Sequence, residues 1–256
     1  MRRTNNSGLL MFIVAVVSLI VGATLASLFS GKGGAAVAGG DIKVAVQEVL
    51  EQNPQLIMDA FQKGRARQQQ EEAANAHKNV AANRDKLEKD DKSPFIGNPK
   101  GDVVIVEFFD YACGYCKRII GDITKLIDED KNVKFVFKDF PILGPGSELA
   151  SRAAIATHFI APDKYFLVHR ALMEFQGQKT EETVLGVVKT VGLNADKIKE
   201  EMKSARVSAL LQSNQELGRS VGINGTPAFI VGGVLSPGAM GLAEMKAAIA
   251  AARSKK

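Results

Sequence analysis

The chain has 256 residues and 46% apolar content, enough for one full-sized core and a smaller extra element. Its formal charge of +5 comes partly from Arg2 and Arg3 at the start and Arg253, Lys255 and Lys256 at the end. No basic run interleaved with aromatics suggests a nucleic-acid partner. Cys113 and Cys116 are its two cysteines, which excludes a disulfide-stapled scaffold; any disulfide within one copy must join them to each other.

Arg2 and Arg3 precede an uncharged apolar run from Leu9 to Phe29, about 20 residues and long enough to span a bilayer. The arginines should stay cytoplasmic, so the chain beyond Phe29 is expected outside the cytoplasm. Run length favours an uncleaved anchor over a cleaved signal, for which Ala36-Val37-Ala38 offers a small-x-small site. Residues 1–40 are thus a signal anchor or signal peptide with a Gly/Ala-rich linker.

A helical arm is predicted over 41–92. Ile42, Ala45, Val46, Val49 and Leu50 form an apolar stripe, and Asn53-Pro54 has the form of an N-cap and first helical position for a second helix. Leu56, Ile57, Ala60 and Phe61 continue an apolar face, and from Gln68 to about Lys89 the sequence is polar and alanine-rich. Such a helix buries little by itself, which makes it a solvated arm or an association surface. Asp90 to Asp102, with Pro94, Gly97, Pro99 and Gly101, marks a boundary.

The pattern then changes. Val103 to Phe109 is a short β-branched and aromatic run, expected as a buried strand. A helix should open near Cys113 and carry Ile119, Ile120, Ile123, Leu126 and Ile127; Val133 to Phe140 is a second strand. This β-α-β order implies parallel pairing in an α/β domain over 93–256. A helical insertion is expected over about 145–222, with Gly192 as a stop and Asn194 as a fresh N-cap. Strand, glycine turn and strand follow from Gly225 to Leu235, then a last amphipathic helix with Leu242, Met245, Ala248, Ile249 and Ala252.

Two cysteines separated by two residues at a helix start can bridge without moving the backbone far. The first sits at the positive end of the helix dipole, so its thiolate is favoured and it is the nucleophile; the second, deeper in the helix, resolves the mixed disulfide. These roles fall to Cys113 and Cys116. Half of a zinc site is the competing use of the pair. His77, His158 and His169 have no ligand-like spacing, so neither metal nor cofactor is expected.

The segment Glu107-Phe108-Phe109-Asp110-Tyr111-Ala112-Cys113-Gly114-Tyr115-Cys116-Lys117 resembles the active-site segment of the DsbA-like branch of the thioredoxin superfamily. Gly225-Thr226-Pro227-Ala228-Phe229 resembles that family's cis-proline loop. The resemblance covers about Val103 to Ala252 and implies a thioredoxin fold interrupted by helices. It also implies that Thr226 offers its backbone to an extended substrate chain beside the reactive sulfur, with Pro227 cis. Glu107 stands where the family carries a buried acid, suggesting proton transfer for Cys116; Lys138 is a conceivable partner for it.

Strong oxidases of the family carry Pro-His between the cysteines. Gly114-Tyr115 supplies no positive charge and resembles the pair of disulfide isomerases, as does Thr226 before the proline. The arm resembles the oligomerisation arms of isomerase-like members, implying a homo-oligomer through 41–90. The resemblance therefore implies an isomerase or reductase in a bacterial envelope, with exported cysteine-containing proteins as substrates and a membrane redox partner. A dithiol oxidase, and a membrane-tethered chaperone on a thioredoxin scaffold, are the alternatives.

Overall fold

Alternating β-branched runs and amphipathic runs set the order of elements in the computed structural model, which describes residues 39–255. The expected anchor over Leu9–Phe29 lies outside these residues; among the described ones no helix is long and apolar enough to cross a membrane. The chain divides into two units, 1–65 and 66–256.

In the first unit, α1 (Gly39–Gln52) is followed by the start of α2 (Pro54–Ala82). Asn53 directly precedes Pro54, the first residue of α2, as the sequence pattern implies, while its side chain turns back to α1. Its side-chain amide donates to the Val49 carbonyl at 3.0 Å, and its backbone N–H goes to the same oxygen. Val46, Val49, Leu50, Leu56, Ile57 and Phe61 are all exposed, at 37–59% of their surface.

In the second unit, packing already involves the end of α2 and α3 (Arg84–Glu88), through buried Val80 and Leu87. The stretch 90–102, expected as a boundary, holds a short edge strand, β1 (Phe95–Gly97). Three residues flanked by Pro and Gly are too few for periodicity to register. Then come β2 (Val103–Phe109), α4 (Gly114–Glu129) and β3 (Val133–Asp139). The helices α5 (Pro145–Ile160), α6 (Tyr165–Glu174), α7 (Glu181–Thr190), α8 (Ala195–Met202) and α9 (Ala205–Ser220) follow. The chain returns through β4 (Ala228–Val231), β5 (Val234–Pro237) and α10 (Leu242–Arg253). Gly232 and Gly233, both at positive φ (+56° and +81°), make the turn between β4 and β5.

The described strands form one sheet in the order β1-β3-β2-β4-β5. β2 pairs parallel with β3 and antiparallel with β4, and β1 and β5 run antiparallel at the edges. Side chains alternate across the sheet. Ile105, Phe109, Phe135, Phe137 and Phe229 face one core together with α4, α10 and the helical insertion. Val106, Phe108, Val136 and Ile230 face a second core, closed by Val80, Leu87 and the end of α9.

This alternation corrects the pairing expected for Lys138. In the β2–β3 register Glu107 lies opposite Phe137, and Phe108 opposite Lys138, so the carboxyl and the ammonium project to opposite faces. Lys138, 1% exposed, bonds Asp90 and the Ser93 hydroxyl, each at 2.7 Å. Asp90→Ala should leave that ammonium buried with one neutral partner. A loss of about 3 kcal/mol in denaturant unfolding is expected; a loss below about 1 kcal/mol would mean that the lysine escapes to water.

Candidate active site

Strand β2 ends at Phe109, and the next four residues turn the chain into α4. Asp110 makes that turn. Fully buried, its carboxylate accepts from the Ala112 N–H at 2.6 Å, the Ile142 N–H at 2.8 Å, the Leu143 N–H at 3.0 Å and the Ser147 hydroxyl at 2.5 Å. Its own carbonyl receives the Cys113 N–H at 3.0 Å. One carboxylate thus ties the loop before the cysteines to the start of the helical insertion. Acids in turns commonly bond a backbone N–H two residues on, as Asp110 does with Ala112; the bonds to residues 142–147 had no local signal.

Cys113 is the N-cap of α4, and Cys116 lies in its first turn. Both are free thiols in this structure. Cys113 is 6% exposed and its thiol donates to the Thr226 carbonyl at 3.2 Å, across 113 residues of sequence. A hydrogen bond from the Cys116 thiol, joined by the Cys116 and Tyr115 N–H groups and by Thr226, pulls Cys113 down to about 5 against the cost of burial. Cys116 is pushed far upward by the same thiol contact, by burial and by the charge of Glu107. The two thiols therefore differ strongly in acidity, and Cys113 carries the thiolate at neutral pH.

The Thr226–Pro227 peptide bond is cis, and the Pro227 carbonyl accepts from the Gly238 N–H at 2.9 Å. Gly114 and Tyr115 face outward, Tyr115 being 60% exposed. The dipeptide itself brings no charge, but Arg118 does: its guanidinium lies 4.2 Å from the centre of the Tyr115 ring.

Glu107 is buried on the face that carries Cys116, with one oxygen unpartnered. Burial, and then the charge of Cys113, raise it to about 8. Asp139, on the same face of β3, is likewise fully buried; burial raises it to about 8, and the Ser151 hydroxyl beside it makes no bond of ordinary geometry. His169 sits among the rings of Phe109, Tyr111, Phe137, Tyr165 and Phe166, at centroid distances of 4.6–6.0 Å. Its Nδ1 lies 2.9 Å from the Tyr111 hydroxyl oxygen, and burial lowers it to about 3, so it stays neutral. The buried contacts of Asp110, Tyr111, Asp139 and His169 escaped sequence reasoning because the helices that surround them are distant in the chain.

The family of the DSBA-like thioredoxin domain matches residues 104–250. This chain belongs to that family. The DsbA-like domain is similar to a thioredoxin-like oxidoreductase from Silicibacter pomeroyi, with 40% identity and a TM-score of 0.64 over 67% of this chain and 98% of the other. BcfH from Salmonella enterica Typhimurium is 26% identical with a TM-score of 0.70, over 86% and 98% of the two chains. Disulfide bond formation protein D of Bacillus subtilis is 29% identical over 148 residues, 54% of this chain and 67% of that protein. The Na(+)/H(+) antiporter NhaA 1 of Salinispora arenicola also matches, at 24% identity, but the matched stretch is 25% of its length. As a DsbA family member the protein is a thiol–disulfide oxidoreductase.

Titration of thiolate absorbance in the reduced protein should show one cysteine ionising near pH 5. A second ionisation should be missing near pH 8.5, where free cysteine titrates; two thiols ionising together there would contradict the split. Glu107 has a folded pKa of about 8, above its ordinary 4.5, so folding favours its neutral form. Relative to Glu107→Gln, the native protein should lose stability as pH rises from 4.5 to 8 and no further above that. Chemical unfolding at several pH values checks this.

Proposed function

We propose that the protein is an envelope disulfide isomerase or reductase working through Cys113 and Cys116. The observation that carries this reading is the stabilised Cys113 sulfur at a helix N-terminus, held against the cis-proline loop, with Cys116 buried and protonated behind it. The Cys113 thiolate attacks a substrate disulfide. The substrate S–S bond breaks, a Cys113–substrate disulfide forms, and the departing substrate thiolate takes a proton from water. In isomerisation another substrate thiol then displaces Cys113, with no net change in oxidation. In reduction Cys116 attacks Cys113, the substrate leaves with both thiols, and the Cys113–Cys116 disulfide must be reduced again by a membrane redox partner.

Glu107 serves the second route. Cys113 loses its negative charge in the mixed disulfide, which removes one of the two causes of the raised Glu107 pKa. Glu107 then ionises more readily and can take the Cys116 proton. Thr226 and Pro227 present backbone to the substrate strand, and Gly114 and Tyr115 form the outward rim. A Cys113 value near 5 lies between about 3.5 for the most oxidising member of the superfamily and about 7 for thioredoxin. That value does not separate the activities; the Gly114-Tyr115 pair is what favours isomerase or reductase over oxidase.

The substrates are exported cysteine-containing proteins, reached from a membrane anchor or after signal cleavage. The arm joins copies of the chain through the exposed Val46, Val49, Leu50, Leu56, Ile57 and Phe61.

Recovery of activity from a scrambled-disulfide substrate in glutathione buffer tests the reading. Cys113→Ser should abolish recovery, and Cys116→Ser should accumulate the mixed disulfide. Fast oxidation of a reduced substrate without recovery would make the protein an oxidase. Deleting 41–65 should abolish oligomers in sedimentation while leaving insulin reduction intact; a truncated form that still sediments as an oligomer would exclude the arm.

A further inference from the structure

Helix α4 and the helical insertion each bring one lysine, Lys117 and Lys179, to the edge of the dithiol. A cavity of about 250 Å³ opens there, lined by Ala112, Lys117, Leu143, Gly146 and Lys179 among others. Ala112 directly precedes Cys113. Lys117 lies one turn beyond it, with its N–H bonded to the Cys113 carbonyl at 3.1 Å. Lys179 comes from the loop between α6 and α7.

The two ammonium groups converge. Lys117 Nζ and Lys179 Nζ both donate to the Phe175 carbonyl, at 3.4 and 3.5 Å. Neither has an ion-pair partner among the described residues. The acid whose charge reaches Lys179 is Asp110, and its oxygens already receive four donors. Burial, and then the charge of Lys117, lower Lys179 to about 8, so at neutral pH it is still largely charged. Two cations sharing one neutral acceptor repel each other, and one carbonyl cannot compensate both. A carboxylate has two oxygens and a negative charge, and bridges such a pair.

We propose that Lys117 and Lys179 form a carboxylate subsite, which selects substrate chains carrying Asp or Glu within about two residues of the reacting cysteine. Side chains one helical turn apart originate about 5–6 Å from each other, and an extended chain advances about 3.3 Å per residue. A strand whose cysteine meets Cys113 and that runs along the first turn of α4 brings a near neighbour over the lysine pair. The inference rests on the dithiol reading above, to which it adds a preference for acidic sequence.

The test uses full-length protein and synthetic peptides with Glu or Gln two residues from a cysteine. As mixed disulfides they report exchange rate; with Ser in place of the cysteine they report equilibrium binding. The native protein should favour the Glu peptide roughly five- to tenfold in both assays. Lys179→Gln should remove that preference and Lys179→Glu reverse it, while the Gln peptide changes less than about twofold. Equal binding of the two peptides by the native protein, or a preference that survives Lys179→Glu, would overturn the subsite. Absence of exchange with either peptide would sink the dithiol reading instead, and the binding preference would still decide the subsite.

Discussion

Everything at the site follows from the position of strand β2 between a parallel and an antiparallel neighbour. Parallel pairing with β3 sends the chain across the sheet through α4, which must begin where β2 ends; that start is Cys113. Antiparallel pairing with β4 puts the beginning of β4 beside the end of β2, and the residues entering β4 are Thr226 and Pro227. Two loops 113 residues apart thus meet at one end of the central strands, where the Cys113 sulfur touches the Thr226 carbonyl. Side-chain alternation along β2 then points Glu107 beneath the cysteines and Phe108 to the other core.

The electrostatics are divided in the same way. At the surface end, the Cys116 thiol, the Cys116 and Tyr115 N–H groups and Thr226 favour negative charge on Cys113, which ionises easily. One layer down, Glu107 and Asp139 lie in apolar surroundings, and burial holds both carboxyls near 8. Among the described residues no cation on that face pairs with them, and the nearby Lys138 belongs to the opposite face and to Asp90. A thiolate above and protonatable acids below is the arrangement that lets a mixed disulfide form quickly and then be resolved by a buried thiol.

Asp110 shows how an unremarked residue can hold such a site in place. It adds no charge partner to the reaction. Its four accepted hydrogen bonds link the loop before α4 to the start of α5, and so tie the cysteines to the insertion. The lysine pair and the ring cluster around His169 both depend on that registration, since each combines the cysteine loop or β2–β3 with residues of α6 and its flanks.

Local pattern was enough for the elements that carry their own signal. The runs Val103–Phe109 and Val133–Asp139 are β-branched and aromatic, Asn194 caps its helix by accepting from the Lys197 N–H, and Gly192 stops the helix before it. The cysteine spacing marked the dithiol, and Thr226-Pro227 marked its facing loop. The edge strand Phe95–Gly97 was too short to read, and the sequence placed Asn53 before α2 without showing that its side chain turns back to the Val49 carbonyl. The partner of Lys138, the donors to Asp110, the apolar surroundings of Asp139 and the meeting of Lys117 with Lys179 were decided by tertiary structure alone. Periodicity specifies which face of an element is buried; which residue of another element lies opposite is set by sheet register and helix docking, and those are properties of the assembled chain.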